Sequence, residues 1–217
     1  MTHPARVPRV TFQGEAGAYS EDAVAQRWGS DAEALPCRTF AEALTRVATG
    51  EADHAVIPVW NSTVGAVDAA VAALDDESER LQEVERILVP VRHCLLALSG
   101  TEAGDVRYVG SHPMALRQCT RFFAAYPAVA AREAYDTGGA ALELARHLSR
   151  GGADEGWGGR RPWYDDIRDV PAGELAVIAS ARAAARHGLR LLLTDIQDEP
   201  DNSTCFVVVR PLEVDRW

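Results

Sequence analysis

Short apolar runs alternate along the chain with stretches whose apolar residues recur at helical spacing, and glycine, proline or small polar residues separate them. Arg9-Val-Thr-Phe-Gln13 reads as a strand, and Gly14-Glu-Ala-Gly-Ala-Tyr-Ser20 as a loop opening a helix, with Ser20 as N-cap and Glu21 and Asp22 in a first turn where the helix dipole favours acids. Thr39 is placed to cap a second helix over 40–48 that Gly50 ends; 55–59 is a buried strand, and 60–65 turns into a helix over 67–74. The apolar run 86–98 exceeds a single strand of about 5 or 6 residues and reads as a crossing from one lobe to another.

A second series begins with a strand at 106–109, a turn at 110–113 with Ser111 as N-cap and Pro113 in the first helical turn, and a helix over 114–125. Asp136-Thr-Gly-Gly139 leads into a helix over 140–148. A strand at 175–179, a helix over 181–186 capped by Ser180 and stopped by His187-Gly188, and a strand at 189–194 follow. The polar loop Asp198-Glu-Pro-Asp-Asn-Ser-Thr-Cys205 then precedes a strand at 206–209. The stretch 151–173, rich in glycine, charge and aromatics, has neither period and reads as a lid or as an interface loop that buries Trp163 and Tyr164.

Strand, turn and helix recurring at least five times predict an α/β fold with mostly parallel sheets. Ligands in such folds sit beyond the carboxyl ends of strands. The turns 14–20, 60–65, 110–113, 136–139 and 198–205 all lie near such ends. Taken alone, Asn61 is either a helix cap or a hydrogen-bond donor to a ligand, Gln118 an exposed polar residue or part of a site, and Asp198–Cys205 a surface turn or a reactive loop. His93 reads as a satisfied core histidine, because no second ligand lies at metal spacing.

Composition narrows the chemistry. A net charge of −10 opposes nucleic-acid binding. No run approaches the roughly 18 uncharged apolar residues of a membrane span, and the first residues lack a secretory pattern, so the expectation is a cytoplasmic protein. All 22 basic residues are Arg, which excludes Schiff-base chemistry on a lysine. Cys37, Cys94, Cys119 and Cys205 form no CxxC pair and read as free thiols, with no metal site.

Phe12-Gln-Gly-Glu-Ala-Gly-Ala-Tyr-Ser-Glu21, Asn61-Ser-x-x-Gly65, Arg92-His-Cys-Leu-Leu96, Ser111-His-Pro-x-Ala-Leu-x-Gln-Cys119, Asp136-Thr-x-Gly-Ala-Ala141, Ile178-Ala-Ser180 and Asp195-Ile-Gln-Asp198 occur in one order over about 200 residues. Together they resemble the catalytic domain of prephenate and arogenate dehydratases. The resemblance implies a two-lobed, periplasmic-binding-protein-like (type II) fold with an interlobe cleft, lobe 1 from 7–92 plus 196–212 and lobe 2 from 93–195. It further implies a homodimer, a prephenate-like dicarboxylate substrate, no cofactor and no metal. The chain ends soon after the last motif, so the family's phenylalanine-sensing regulatory domain is not expected.

By the same resemblance Thr204 assists departure of the ring hydroxyl, with Asn61, Ser111 and Gln118 as catalytic helpers. Gly17, Ala18, Tyr19, Ser20, Trp60, Ser62, His112, Thr137, Cys205 and Phe206 would contact the substrate. Three positions depart from the pattern: Trp60 stands for a glutamate, Met114 for a glutamine, and Cys205 for the arginine of Thr-Arg-Phe. Loss of that arginine would leave a buried carboxylate unpaired, at a cost of several kcal/mol; if that ion pair is the defect, Cys205→Arg should tighten substrate binding, and no gain would point to a reshaped pocket. The reading that follows is decarboxylating dehydration of prephenate or a close analogue. A non-aromatising prephenate decarboxylase and a non-catalytic binding module on the same frame are its alternatives.

Overall fold

A computed structural model describes residues 6–147 and 162–213. In chain order the elements are β1 (Arg9–Gln13), α1 (Tyr19–Trp28), β2 (Glu33–Cys37), α2 (Phe40–Ala48), β3 (His54–Asn61), β4 (Gly65–Ala66), α3 (Asp68–Asp76), β5 (Leu81–Pro90) and β6 (Cys94–Ala97). There follow β7 (Tyr108–Ser111), α4 (Pro113–Arg117), α5 (Thr120–Ala125), β8 (Ala130–Glu133), α6 (Thr137–His147), β9 (Leu175–Ala179), α7 (Ala181–His187), β10 (Arg190–Leu193) and β11 (Ser203–Pro211).

The chain forms two compact units. The first takes residues up to Gly14, Ser20–Pro90 and everything from Ser203; the second takes Glu15–Tyr19 and Val91–Asn202. Its sheet in the first unit runs β2-β1-β3-β11-β5 with β4 beside β3, and in the second β10-β6-β9-β7-β8. Each has a parallel heart of three strands, β2-β1-β3 and β9-β7-β8, widened by antiparallel neighbours. The sheets are thus mixed rather than mostly parallel. Strands that return to a unit after visiting the other, such as β11, need no crossover helix and pair antiparallel.

Side-chain alternation distributes the core. In the first unit Ile57, Val207 and Val209 meet Leu44 and Val47 of α2 and Ala70 of α3. In the second, Leu96, Leu175 and Val177 pack with Leu144 on one face, while Leu95, Ala97 and Ile178 pack with Leu116 and Phe122 on the other. The central β9 is covered on both faces and is buried at every position, as its unbroken apolar sequence anticipates. Trp163 and Tyr164 are core residues of this unit, the indole lying flat against Gly110, where an added Cβ would come within 2.4 Å of the ring. Residues 151–161 of the expected excursion, with Trp157, lie outside the described residues.

Several boundaries move. The run 86–98 does pass from one unit to the other, as expected, as the end of β5, a break at 91–93, and β6 in the other sheet. The expected helix 114–125 is α4 and α5, with Gln118 as the C-cap of the first. Ser111 is no cap: it ends β7, fully buried, and His112 caps α4 by accepting Met114 N–H at Nδ1. Ser20 lies inside α1, which starts at Tyr19. By contrast Thr39 and Ser180 cap α2 and α7 through their hydroxyls, and Gly188 ends α7 in the left-handed conformation, all as expected.

The loop Glu15–Tyr19 belongs to the second unit although the strand before it belongs to the first. Its polar groups explain why: Glu15 N–H donates to Asp136 (2.8 Å), Ser180 donates to the Gly17 carbonyl (2.9 Å), and His187 Nε2 lies 2.8 Å from the Ala16 carbonyl. Gly17 sits at φ +93°, and a Cβ there would come 2.8 Å from Ala183 Cα. Gly17→Ala is therefore expected to cost about 1–3 kcal/mol, from left-handed strain plus overpacking, measured as a fall in urea stability.

Candidate active site

In the first unit the polar residues gather where β3 meets β11. Register pairs Asn61 with Thr204 and Trp60 with Cys205, and Cys205 with Leu88 on the far side. β11 starts at Ser203, so Thr204 and Cys205 are strand residues held by ladders on both sides, not the tip of a loop. Asn61 Nδ2 donates to the Thr204 hydroxyl at 3.0 Å and to the Ser203 carbonyl at 3.0 Å. Its Oδ1 accepts from Thr63 N–H, Thr63 Oγ1 and Val64 N–H, which closes the turn after β3. Asn61 is thus both a turn former and a side-chain donor. Ser62 locks the same corner, exchanging bonds with Ser203 at 2.9 Å in both directions.

Because neighbouring strand residues point to opposite faces, Trp60, Cys205 and Leu88 share the face away from Asn61 and Thr204. Trp60 is 44% exposed and Leu88 58%, whereas Asn61 and Thr204 are 8% and 9% exposed. Two of the three departures from the resembled pattern are therefore cross-strand partners. The glutamate and arginine expected at these positions would face each other, and both are replaced together. Cys205→Arg alone is then expected to leave substrate affinity unimproved, since the guanidinium would meet Trp60 and Leu88. Adding Trp60→Glu should stabilise that variant by roughly 0.2–1 kcal/mol, read from denaturant midpoints. Phe206, on the Thr204 face, is fully buried.

In the second unit Asp136 is the anchor that sequence reading passed over. It accepts from Gly139 N–H and from Glu15 N–H, both at 2.8 Å, so it caps α6 and ties down the 15–19 loop at once. Burial pushes its carboxyl up, against the three backbone N–H groups of Gly139, Glu15 and Gly138 that pull it down. An Asp directly before Thr-Gly-Gly is a helix-start signal, and it could have placed the helix start at Thr137. Gly138 lets α6 approach the loop, for a Cβ there would lie 2.8 Å from Ala18 N. The N-terminal turn of α6, with Thr137, and the residues Gly17 and Ala18 are thereby brought together.

Ser111 donates to the Ile178 carbonyl at 2.6 Å, so its proton is committed to the sheet. Gln118 Oε1 lies 3.0 Å from Nε2 of the buried His93, whose Nδ1 lies 3.0 Å from the Tyr19 hydroxyl. His93 is satisfied, as expected, but its partners come from three distant segments and nothing local announces them. Asp198, read as part of a turn, accepts from Thr120 N–H, Thr120 Oγ1 and Arg121 N–H and caps α5. Burial opposes its ionisation, yet these donors hold its carboxyl below the usual range.

An open pocket of about 390 Å³ in the second unit is lined by His112, Glu133, Tyr135, Glu143 and Trp163 among others. Desolvation keeps the His112 imidazole below its usual range, consistent with the neutral ring that accepts Met114 N–H. The four cysteines are free, and burial pushes the Cys119 thiol up to about 12, too high for a thiolate nucleophile. Among the described residues no group of three or more His, Cys, Asp or Glu is disposed to hold a metal ion, and no helix is long and apolar enough to cross a membrane.

The family model for prephenate dehydratase matches residues 10–213. Arogenate dehydratase 1 of Petunia hybrida is 38% identical over 202 residues, covering 93% of this chain and 42% of its own length. A prephenate dehydratase from Arthrobacter aurescens, solved in complex with L-Phe, superposes with a TM-score of 0.76 at 29% identity, over 96% of this chain and 63% of that one. A protein described as a novel type of quorum quenching acylase, GqqA, superposes equally well, with a TM-score of 0.76 at 29% identity over 95% of this chain and 65% of its own. The chain spans less than half the length of the curated plant relative. With the match running from β1 to the end of β11 and the fold shared, this chain belongs to the prephenate dehydratase family.

Proposed function

We propose that this chain is a carbon–oxygen lyase that converts prephenate, or its amino analogue arogenate, by decarboxylating dehydration in aromatic amino acid biosynthesis. The observation that carries the reading is the 3.0 Å bond from Asn61 Nδ2 to Thr204 Oγ1. Because Asn61 donates into the hydroxyl oxygen, the proton of Thr204 remains to be given elsewhere, and the bond polarises the O–H toward giving it. In the reaction the electrons of the ring C–carboxylate bond move into the ring as carbon dioxide leaves. The ring C–O bond breaks at the opposite carbon, and Thr204 donates to the departing oxygen, which leaves as water. Solvent restores the proton to Thr204. Aromatisation provides the driving force, so holding the substrate and stabilising one developing charge suffices. Gln118 is assigned to a substrate carboxylate through its amide N–H groups.

Acylase chemistry of the kind named for one solved relative is disfavoured by the same bond. A hydroxyl nucleophile needs a neighbouring base to take its proton, and the amide that touches Thr204 cannot accept one. The reading also takes the protein as a cytoplasmic homodimer, which sedimentation of the purified chain would check. Incubation with prephenate and with arogenate, followed by mass spectrometry, tests the activity. Phenylpyruvate or phenylalanine supports it; a decarboxylated product that keeps its ring oxygen would instead identify the non-aromatising decarboxylase, and absence of turnover with both substrates overturns the lyase reading.

A further inference from the structure

We infer that the sheet face carrying Trp60, Cys205 and Leu88 docks a second copy of this chain, about a two-fold axis that runs between the two sheets, parallel to the strands and over Cys205. The inference rests on the dimeric part of the reading above and says which surface pairs. Register sets Ala66 of β4, Trp60 of β3, Cys205 of β11 and Leu88 of β5 in one row across four adjacent strands. Ala66, Trp60 and Leu88 are exposed and Cys205 is half-buried, so the row is an apolar band on the outside of the first unit. A band of this kind, set where the resembled pattern carries a glutamate and an arginine, marks a surface that is covered by a partner.

The order of the residues identifies the partner as a second copy. Rotation by 180° about an axis along the strands reverses the order of the strands and keeps the direction along them, so a face docks on itself with left and right exchanged. Trp60 then lies over Leu88 of the second copy, and Leu88 over that copy's Trp60, with the two Cys205 side chains facing each other at the axis. An aromatic anchor thus meets an aliphatic one twice, at the centre of the contact. The charges obey the same rotation. Val67 N–H donates to the Val59 carbonyl at 3.0 Å, so the chain beyond Ala66 runs back along β3 to Asp68 at the start of α3, while Arg86 pairs with Val207. Asp68 and Arg86 therefore lie on the same side of the row, at its opposite ends. Within one chain they are three strand spacings apart, about 14 Å, too far to meet. In the pair of copies each Asp68 comes beside the other's Arg86, an exposed guanidinium that at present holds only Glu83 of its own strand, at 2.6 Å. The result is an apolar centre with opposite charges at its rim.

Sedimentation of the full chain and its variants tests the face. The wild type should be a dimer. Trp60→Glu/Cys205→Arg, in which opposite charges face each other across the ladder and preserve the fold, should raise the dimer dissociation constant by about 10²-fold or more. Arg86→Asp and Asp68→Arg should each weaken the homodimer by about 10-fold or more, because each then sets like charges together across the axis. Mixed in equal amounts, these two variants should form a heterodimer of near wild-type strength, since both rim pairs are again opposite in sign. Circular dichroism identifies any variant that does not fold. Folded variants that associate like the wild type, or a mixture that binds no more tightly than its components, would overturn the proposed face while the dimer stood. A wild type that sediments as a monomer would remove the dimer and this face together. Turnover enters none of these outcomes, so the lyase reading is decided separately by the substrate assay.

Discussion

Replacing Thr204 with valine should lower turnover of prephenate or arogenate by about 10²-fold or more, while the protein stays folded. Valine keeps the β-branched shape that suits β11 and removes only the hydroxyl. The site loses the donor for the departing oxygen, and Asn61 loses the Thr204 acceptor but keeps the Ser203 carbonyl. The stability cost should therefore be about 1 kcal/mol, the scale of one hydrogen bond. Thr204→Ser, which restores the hydroxyl, should recover much of the rate. Product formation followed by absorbance separates the cases: a valine variant as fast as wild type would remove Thr204 from the chemistry, and a serine variant as slow as valine would show that shape rather than the proton matters.

Asn61→Asp is the second severe change, and it differs from wild type by a single group. The oxygen facing Thr63 and Val64 can keep its bonds, but an oxygen now replaces the Nδ2 group that faced the Ser203 carbonyl and the Thr204 hydroxyl. Toward Ser203 the contact becomes repulsive. Toward Thr204 it reverses, so that Thr204 must donate to the carboxylate and its proton is withdrawn from the leaving group. A fall in kcat of about 10²–10³-fold is expected, together with a loss of about 1–3 kcal/mol for the buried repulsion, read from urea unfolding. If Asn61→Asp retained wild-type kcat, the direction of the Asn61–Thr204 bond would be irrelevant to the reaction, and the reading of Thr204 as the proton donor would fall with it.

Much of the fold is legible in the chain itself. The alternation of strands and helices, the caps at Thr39 and Ser180 and the left-handed stop at Gly188 follow from local chemistry, because each depends on residues within four positions of one another. So does the motif order that marks the family. The errors were local too, where two local readings competed. Ser111 has the residue type of an N-cap, but β7 claims it because its hydroxyl can reach the Ile178 carbonyl of the adjacent strand. Asp136 caps α6 although Gly138 and Gly139 after it have the composition of a turn.

Other features could not be read from order along the chain at all. The pairing of Trp60 with Cys205, and of Asn61 with Thr204, joins residues more than 140 positions apart, and it came into being when β11 took its place between β3 and β5. That register turned a single apparent defect, an arginine lost at Cys205, into a matched replacement of two facing positions. The contacts of His93 with Gln118 and Tyr19 are of the same kind. Composition and periodicity determined which residues would be strands, helices and turns, since those depend on neighbours in sequence. Which side chains share a face, and which donor meets which acceptor, depends on strand register and on contacts that close long loops, and those are set only when the whole chain packs.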